Sequence, residues 1–170
     1  MTEQERIIRH FKGIIDSTLR EGFQFSRANF TLKEQKKIFL YLSRIGVDYI
    51  EVGNPAQPKV REAIIELVRC RSDSQAKILC HIRNHPQDLQ HALASCVNGV
   101  NILCTADPER IKAMRLIPRE YLKRLESNIL QAKFHGMEIR ISVEDFFHQQ
   151  SRFSRSIYDM ADHLKVDRIG

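Results

Sequence analysis

The 170-residue sequence has no tryptophan, seven glycines, five prolines and four cysteines. So little glycine and proline, without a Gly-X-Y period, excludes a collagen-like or low-complexity chain. Cys70, Cys80, Cys96 and Cys104 show no Cys-x-x-Cys spacing and fall mostly in apolar segments. That argues against a small disulfide scaffold and for reduced, buried thiols in a cytoplasmic protein. No apolar run approaches the ~20 residues that a membrane-spanning helix needs. Residues 1–12 carry charges of both signs where a signal peptide would place an apolar stretch. Also missing are a Gly-x-Gly-x-x-Gly fingerprint and a P-loop, the usual feeders of a nucleotide site on an open sheet.

What is present is the mix of an ordinary globular domain, with 42% apolar and 28% charged residues. Twenty-seven Lys and Arg against 21 Asp and Glu leave a net charge of +6. The basic residues are interspersed with acids, as in Lys33-Glu34-Gln35-Lys36-Lys37, and no aromatic-rich basic stripe appears. Neither nucleic acid nor a membrane is expected as a partner. Small anionic substrates suit the balance.

Short β-branched runs alternate with longer amphipathic stretches. Gly13 to Thr18 reads as a first strand, stopping in the polar loop Arg20-Glu21-Gly22. Thr31 reads as the N-cap of a helix through Arg44, with Glu34 completing a capping box and Gly46 ending it. Further strands are expected at Val47–Gly53, Lys77–Ile82, Gly99–Cys104 and Met137–Ser142. A sixth begins at Val166–Gly170. Helices are expected near Pro58–Arg71, after Pro86, over Pro118–Phe134 and up to Leu164. Arg110, Lys112 and Arg115 read as a solvated helix face, and Phe146, Phe147 and Phe153 as cover on the helical side. His81 and His85 lie four apart, but Pro86 follows directly, so a helical zinc pair is not expected.

Regular strand–helix alternation implies an α/β chain with a parallel sheet. Length favours a doubly wound open sheet, since a (β/α)8 barrel runs to about 200 residues or more. The chemistry favours the barrel, because every strand ends in polar residues: Asp16 with Arg20 and Glu21, Glu51, His81 with Arg83, Asn101, and Arg140 with Ser142 and Glu144. A barrel converges all its strand ends on one mouth, whereas an open sheet has one switch point.

The segment Ile15-Asp16-Ser17-Thr18-Leu19-Arg20-Glu21-Gly22-Phe23-Gln24-Phe25 resembles the signature of the homocitrate synthase and isopropylmalate synthase family. The resemblance continues through Gly46–Val52, Ile78–Arg83 and Gly136–Asp145, in order, over nearly the whole chain from Ile14. It is strongest to homocitrate synthases. It implies an incomplete (β/α)8 TIM barrel of about five and a half β/α units, with residues 1–170 as the N-terminal portion of a single catalytic domain. The implied reaction is Claisen-type condensation of acetyl-CoA with a 2-oxo acid, 2-oxoglutarate favoured, dependent on a divalent metal (Zn, Mg, Mn or Co). It implies Glu21 as a metal ligand and Arg20 as the cation that stabilises the developing oxyanion. Gln24, His81, Arg83, Arg140, Ser142 and Glu144 are the implied substrate contacts, with Arg140 a carboxylate fork. The full-length form is expected to be a homodimer.

Two departures stand against the family pattern. Phe23 occupies a position where these synthases usually carry Glu. No His-x-His pair, which the family uses to complete its metal site, occurs among His10, His81, His85, His91, His135, His148 and His163. The chain alone is therefore expected to be inactive. A non-catalytic interaction module of the same fold, and a lyase or aldolase relative, are the competing readings.

Overall fold

A computed structural model describes residues 13–25, 30–73, 75–145 and 152–170. The elements run β1 (Ile15–Asp16), α1 (Thr18–Gln24), α2 (Leu32–Ile45), β2 (Tyr49–Val52), α3 (Pro58–Arg69), β3 (Lys77–Arg83), α4 (Pro86–Ala94), β4 (Gly99–Thr105), α5 (Pro108–Ala113), α6 (Pro118–Phe134), β5 (Glu138–Glu144), α7 (Arg152–His163) and β6 (Arg168–Ile169). Phe146, Phe147, His10 and His148 lie outside the described residues.

Local chemistry explains the boundaries. Thr31 accepts the Glu34 N–H at 3.3 Å while the Glu34 carboxylate accepts the Thr31 N–H at 2.8 Å, so the capping box forms. Gly46 ends α2 at φ +86°, a left-handed conformation that glycine adopts without strain. The first strand is shorter than the sequence pattern suggests. Asp16 accepts both the N–H and the hydroxyl of Thr18, at 2.9 and 3.2 Å, and this local turn starts a helix at Thr18. Arg20 and Glu21 consequently stand on helix α1 instead of in an extended loop.

All six strands are parallel and hydrogen-bonded in the order β1-β2-β3-β4-β5-β6. A doubly wound sheet reverses its strand order at a switch point, and this one does not. The sheet is also curled. In a flat sheet β2 and β6 would be roughly 19 Å apart, at about 4.8 Å per strand. Instead the Arg168 guanidinium of β6 stacks 3.9 Å from the Tyr49 ring centroid of β2. The architecture is an incomplete (β/α)8 barrel, with helices outside and a lumen inside.

Side chains alternate across this curl. Ile78, Cys80 and Ile82 of β3 face the helices, where they join Phe39, Leu67 and Leu89 in the main apolar core. Lys77, Leu79, His81 and Arg83 take the other face. Cys80 and Cys104 are fully buried, and burial holds the Cys104 thiol up at about 12. Cys70 and Cys96 depart from the expected buried state: Cys70 is half-buried, and Cys96 is exposed in the turn after α4. All four thiols are free.

Candidate active site

Glu51 stands at the centre of the lumen's upper end. It sits on β2 between Ile50 and Val52, and its side chain is only 3% exposed. A lone buried carboxylate is costly unless neighbours compensate it. Three elements do so. From α1, the Arg20 Nε donates to Glu51 Oε2 at 2.6 Å. From β3, the His81 Nδ1 lies 3.3 Å from Oε1. From β4, the Asn101 amide donates to Oε1 at 2.6 Å. Burial is the largest influence on Glu51 and raises its pKa, but the bonds from His81 and Asn101 and the Arg20 charge outweigh it and hold the carboxyl at about 2.

The chain of bonds continues to β5, where the Ser142 hydroxyl donates to Asn101 Oδ1 at 2.9 Å. One hydrogen-bonded cluster thus joins α1, β2, β3, β4 and β5. With Nδ1 turned to Glu51, His81 keeps Nε2 for another partner.

The structure brings some of the sequence-derived residues together and not others. Arg20, His81 and Ser142 are members of the cluster. Glu21 joins it at the margin, paired with Arg20 but with 57% of its side chain exposed. Arg140 lies on the lumen face of β5, paired in register with Asn101. Its side chain makes no hydrogen bond or ion pair among the described residues. Its guanidinium packs so closely on Gly170 that a Cβ there would collide with it. Gln24 is the last residue of α1, and its side chain is outside the described part.

Arg83 and Glu144 stand apart. Arg83 turns outward to the N-terminus of α4, where Nε and Nη2 grip the Asp88 carboxylate at 2.9 and 2.8 Å. Its side chain is 63% exposed. Glu144 is exposed on the rim and pairs with Arg110. That pair also shows that Arg110 is more than a solvated charge on a helix face. Arg115 lies beyond α5 at φ +58°.

Sequence reasoning noted Glu51 and Asn101 as polar strand ends without giving either a role. The signal was there: β2 is buried at all four positions, so a carboxylate inside it demands partners.

At the C-terminal ends of β3, β4 and β5 a cleft of about 690 Å³ opens, walled by Arg83, Leu103, Thr105, Arg110, Arg124 and Glu144 and by none of the cluster residues. Tyr121 braces its floor, its hydroxyl accepting the Thr105 N–H at 2.9 Å.

A divalent metal does not fit the described residues as a complete centre. Among them no three His, Cys, Asp or Glu side chains come together. Glu21 offers one carboxylate, already paired with a cation. Protein sites for transition metals commonly use three or more ligands.

Known proteins agree with the fold. The HMGL-like family matches residues 12–170. Homocitrate synthase of Pyrococcus horikoshii is 36% identical over 157 residues, which is 92% of this chain and 43% of that protein. The mitochondrial homocitrate synthase of Penicillium rubens is 35% identical over 158 residues, covering 92% of this chain and 33% of its own length. The chain therefore spans between one third and about two fifths of the length of these relatives. Among solved structures, an HMG-CoA lyase of Acinetobacter baumannii in complex with coenzyme A and 3-methylmalate superposes at a TM-score of 0.72. It is 16% identical, and the match covers 91% of this chain and 54% of the lyase. A curled parallel sheet, a buried Glu51 cluster at its mouth and a family match from residue 12 to residue 170 lead to one assignment: the chain belongs to the HMGL-like family.

Proposed function

We propose that the chain is the N-terminal part of a barrel enzyme that condenses acetyl-CoA with a 2-oxo acid, 2-oxoglutarate favoured, to give homocitrate. The observation that carries this reading is the cluster around Glu51 with an uncommitted cation, Arg140, beside it. Its chemistry matches the task, and similarity to homocitrate synthases supports it.

Making a carbon nucleophile from acetyl-CoA places negative charge on the thioester oxygen. A cation fixed in advance stabilises that charge more effectively than a mobile one. Glu51 fixes Arg20 at Nε, so the guanidinium is oriented without being freely solvated. His81, held at Nδ1, presents Nε2 to the same space. Arg140 suits one carboxylate of a dicarboxylic 2-oxo acid, by two-point hydrogen bonding. The Ser142 hydroxyl, whose one proton goes to Asn101, keeps its oxygen as an acceptor. The cleft at the strand ends, with Arg124 on its wall and Arg110 paired there to Glu144, suits the phosphates of coenzyme A. A divalent ion bound by the 2-oxo acid would polarise its ketone; Glu21 supplies one ligand for it, and the described residues do not supply the rest. Cytoplasmic residence is part of this proposal, supported by four free thiols. No described helix is long and apolar enough to cross a membrane.

A chimera tests the reading. Residues 1–170 fused to the remaining length of the Pyrococcus relative should release free CoA from acetyl-CoA only when 2-oxoglutarate and a divalent metal are present. The 170-residue chain alone should release none. Arg20→Ala in the chimera should lower turnover by about 10²-fold, as for loss of one oxyanion donor. Cleavage of an acyl-CoA without condensation would support the lyase reading instead. Equal activity with Arg20→Ala would overturn the role given to Arg20.

A further inference from the structure

The opposite end of the lumen holds a second polar cluster that the proposed chemistry does not use. Tyr49, Lys77, Glu138 and Arg168 are each the first residue of their strand, β2, β3, β5 and β6. Glu138 is the hub. The Tyr49 hydroxyl donates to its Oε2 at 3.0 Å, Arg168 Nη1 donates to the same oxygen at 2.9 Å, and Lys77 donates to Oε1. Arg168 also donates from Nη2 to the Tyr49 hydroxyl while stacking on its ring. At the start of β4 stands Gly99, where any Cβ would collide with the Glu138 carbonyl and approach Leu79 to 2.9 Å. The absence of a side chain there lets the backbone of β5 approach β4 closely at Glu138.

These bonds do what the strand ladders cannot. Ladder bonds join neighbours and allow a sheet to be flat or curled. The lower cluster ties β2 and β3 to β5 and β6 across the hollow, over separations of 61, 89 and 119 residues. Tyr49 and Glu51 are two residues apart on β2, or roughly 7 Å along the strand. A change of curl at the bottom therefore moves Glu51 relative to Asn101 and Ser142 at the top.

We infer that Tyr49, Lys77, Glu138 and Arg168 are positioning residues, a charged clamp that fixes the curl on which the assembly of the Glu51 cluster depends. The clamp opens at the flanks first, because β1 and β6 are the outermost strands of the sheet.

Residue-resolved amide exchange on the 170-residue chain separates a clamp from a general contribution to stability. In Glu138→Gln the amides of Gly170 and Tyr49, which bond to Ile141 and Ile14, should exchange about tenfold faster, while Asn98, bonded to Ile78 at the sheet centre, stays within about twofold. The side-chain amide resonances of Asn101 should shift in the same variant, although Glu138 does not touch Asn101. Tyr49→Phe keeps the ring under Arg168 and removes only the phenol bridge. It should show the same pattern at about threefold, and it serves if Glu138→Gln does not fold. Equal acceleration of all amides, acceleration of none, or unmoved Asn101 signals would overturn the inference.

Discussion

The two ends of the lumen are both polar, yet they are built in different ways. At the upper end one buried carboxylate, Glu51, is surrounded by short-range partners from successive elements, and Arg140 and Glu21 are left with capacity to spare. At the lower end long side chains reach across the hollow, and they bind mostly one another. The difference teaches where chemistry can happen. A cluster whose long side chains are all tied to one hub, Glu138, holds the barrel's shape, whereas one that leaves a cation without a carboxylate partner can take a ligand.

The largest effect expected from breaking this contrast is at Glu51. Glu51→Ala leaves Arg20 and His81 facing a buried gap, and should cost about 3 kcal/mol in urea unfolding followed by circular dichroism. A cost under ~1 kcal/mol would mean that the partners re-pair elsewhere. The same residue sets an acid response. Its folded pKa, about 2, lies below the ordinary 4.5, so its stabilisation is complete above pH 4.5 and is lost as pH falls toward 2. Glu51→Gln should flatten that stretch of the stability–pH curve; an unchanged curve would assign the acid sensitivity to other carboxylates.

At the lower end the effect should be smaller. Glu138→Ala should cost about 1–2 kcal/mol, because Lys77 is half exposed and regains water when its partner leaves. Raised salt should weaken the wild-type chain more than this variant, which keeps its other surface pairs. The smallest effect on stability belongs to Arg140. Arg140→Ala should stay within about 0.5 kcal/mol of the parent. In the chimera it should nevertheless raise the KM for 2-oxoglutarate by about tenfold or more, the cost of one lost charge-assisted bond. An unchanged KM would remove Arg140 from the substrate site.

Much of the fold was legible because the signals were local. Thr31 with Glu34, Gly46, Pro86 and Pro118 marked helix ends by their own chemistry, and runs such as Lys77–Ile82 marked strands by composition. The first strand was read too long because the Asp16–Thr18 turn was not weighed against the β-branched run before it. The site was legible only in part. Arg83 lies two residues beyond His81 on the same strand face, but which way it turns depends on the buried Asp88 at the start of α4. Glu144 likewise turns to Arg110, on a short helix that the sequence announces as a solvated face without showing what that face meets. Convergence depends on curl, and curl depends on contacts across as many as 119 residues, which no local pattern encodes.

Whether the polar strand ends form one unit is most directly tested by a double-mutant cycle between Glu51→Gln and Ser142→Ala. These residues stand on β2 and β5, which are not neighbours, and among the described residues Asn101 hydrogen-bonds to both. A single cluster predicts a coupling of at least ~0.5 kcal/mol in unfolding free energy, whereas additivity within ~0.3 kcal/mol would mean that the two side chains belong to separate places.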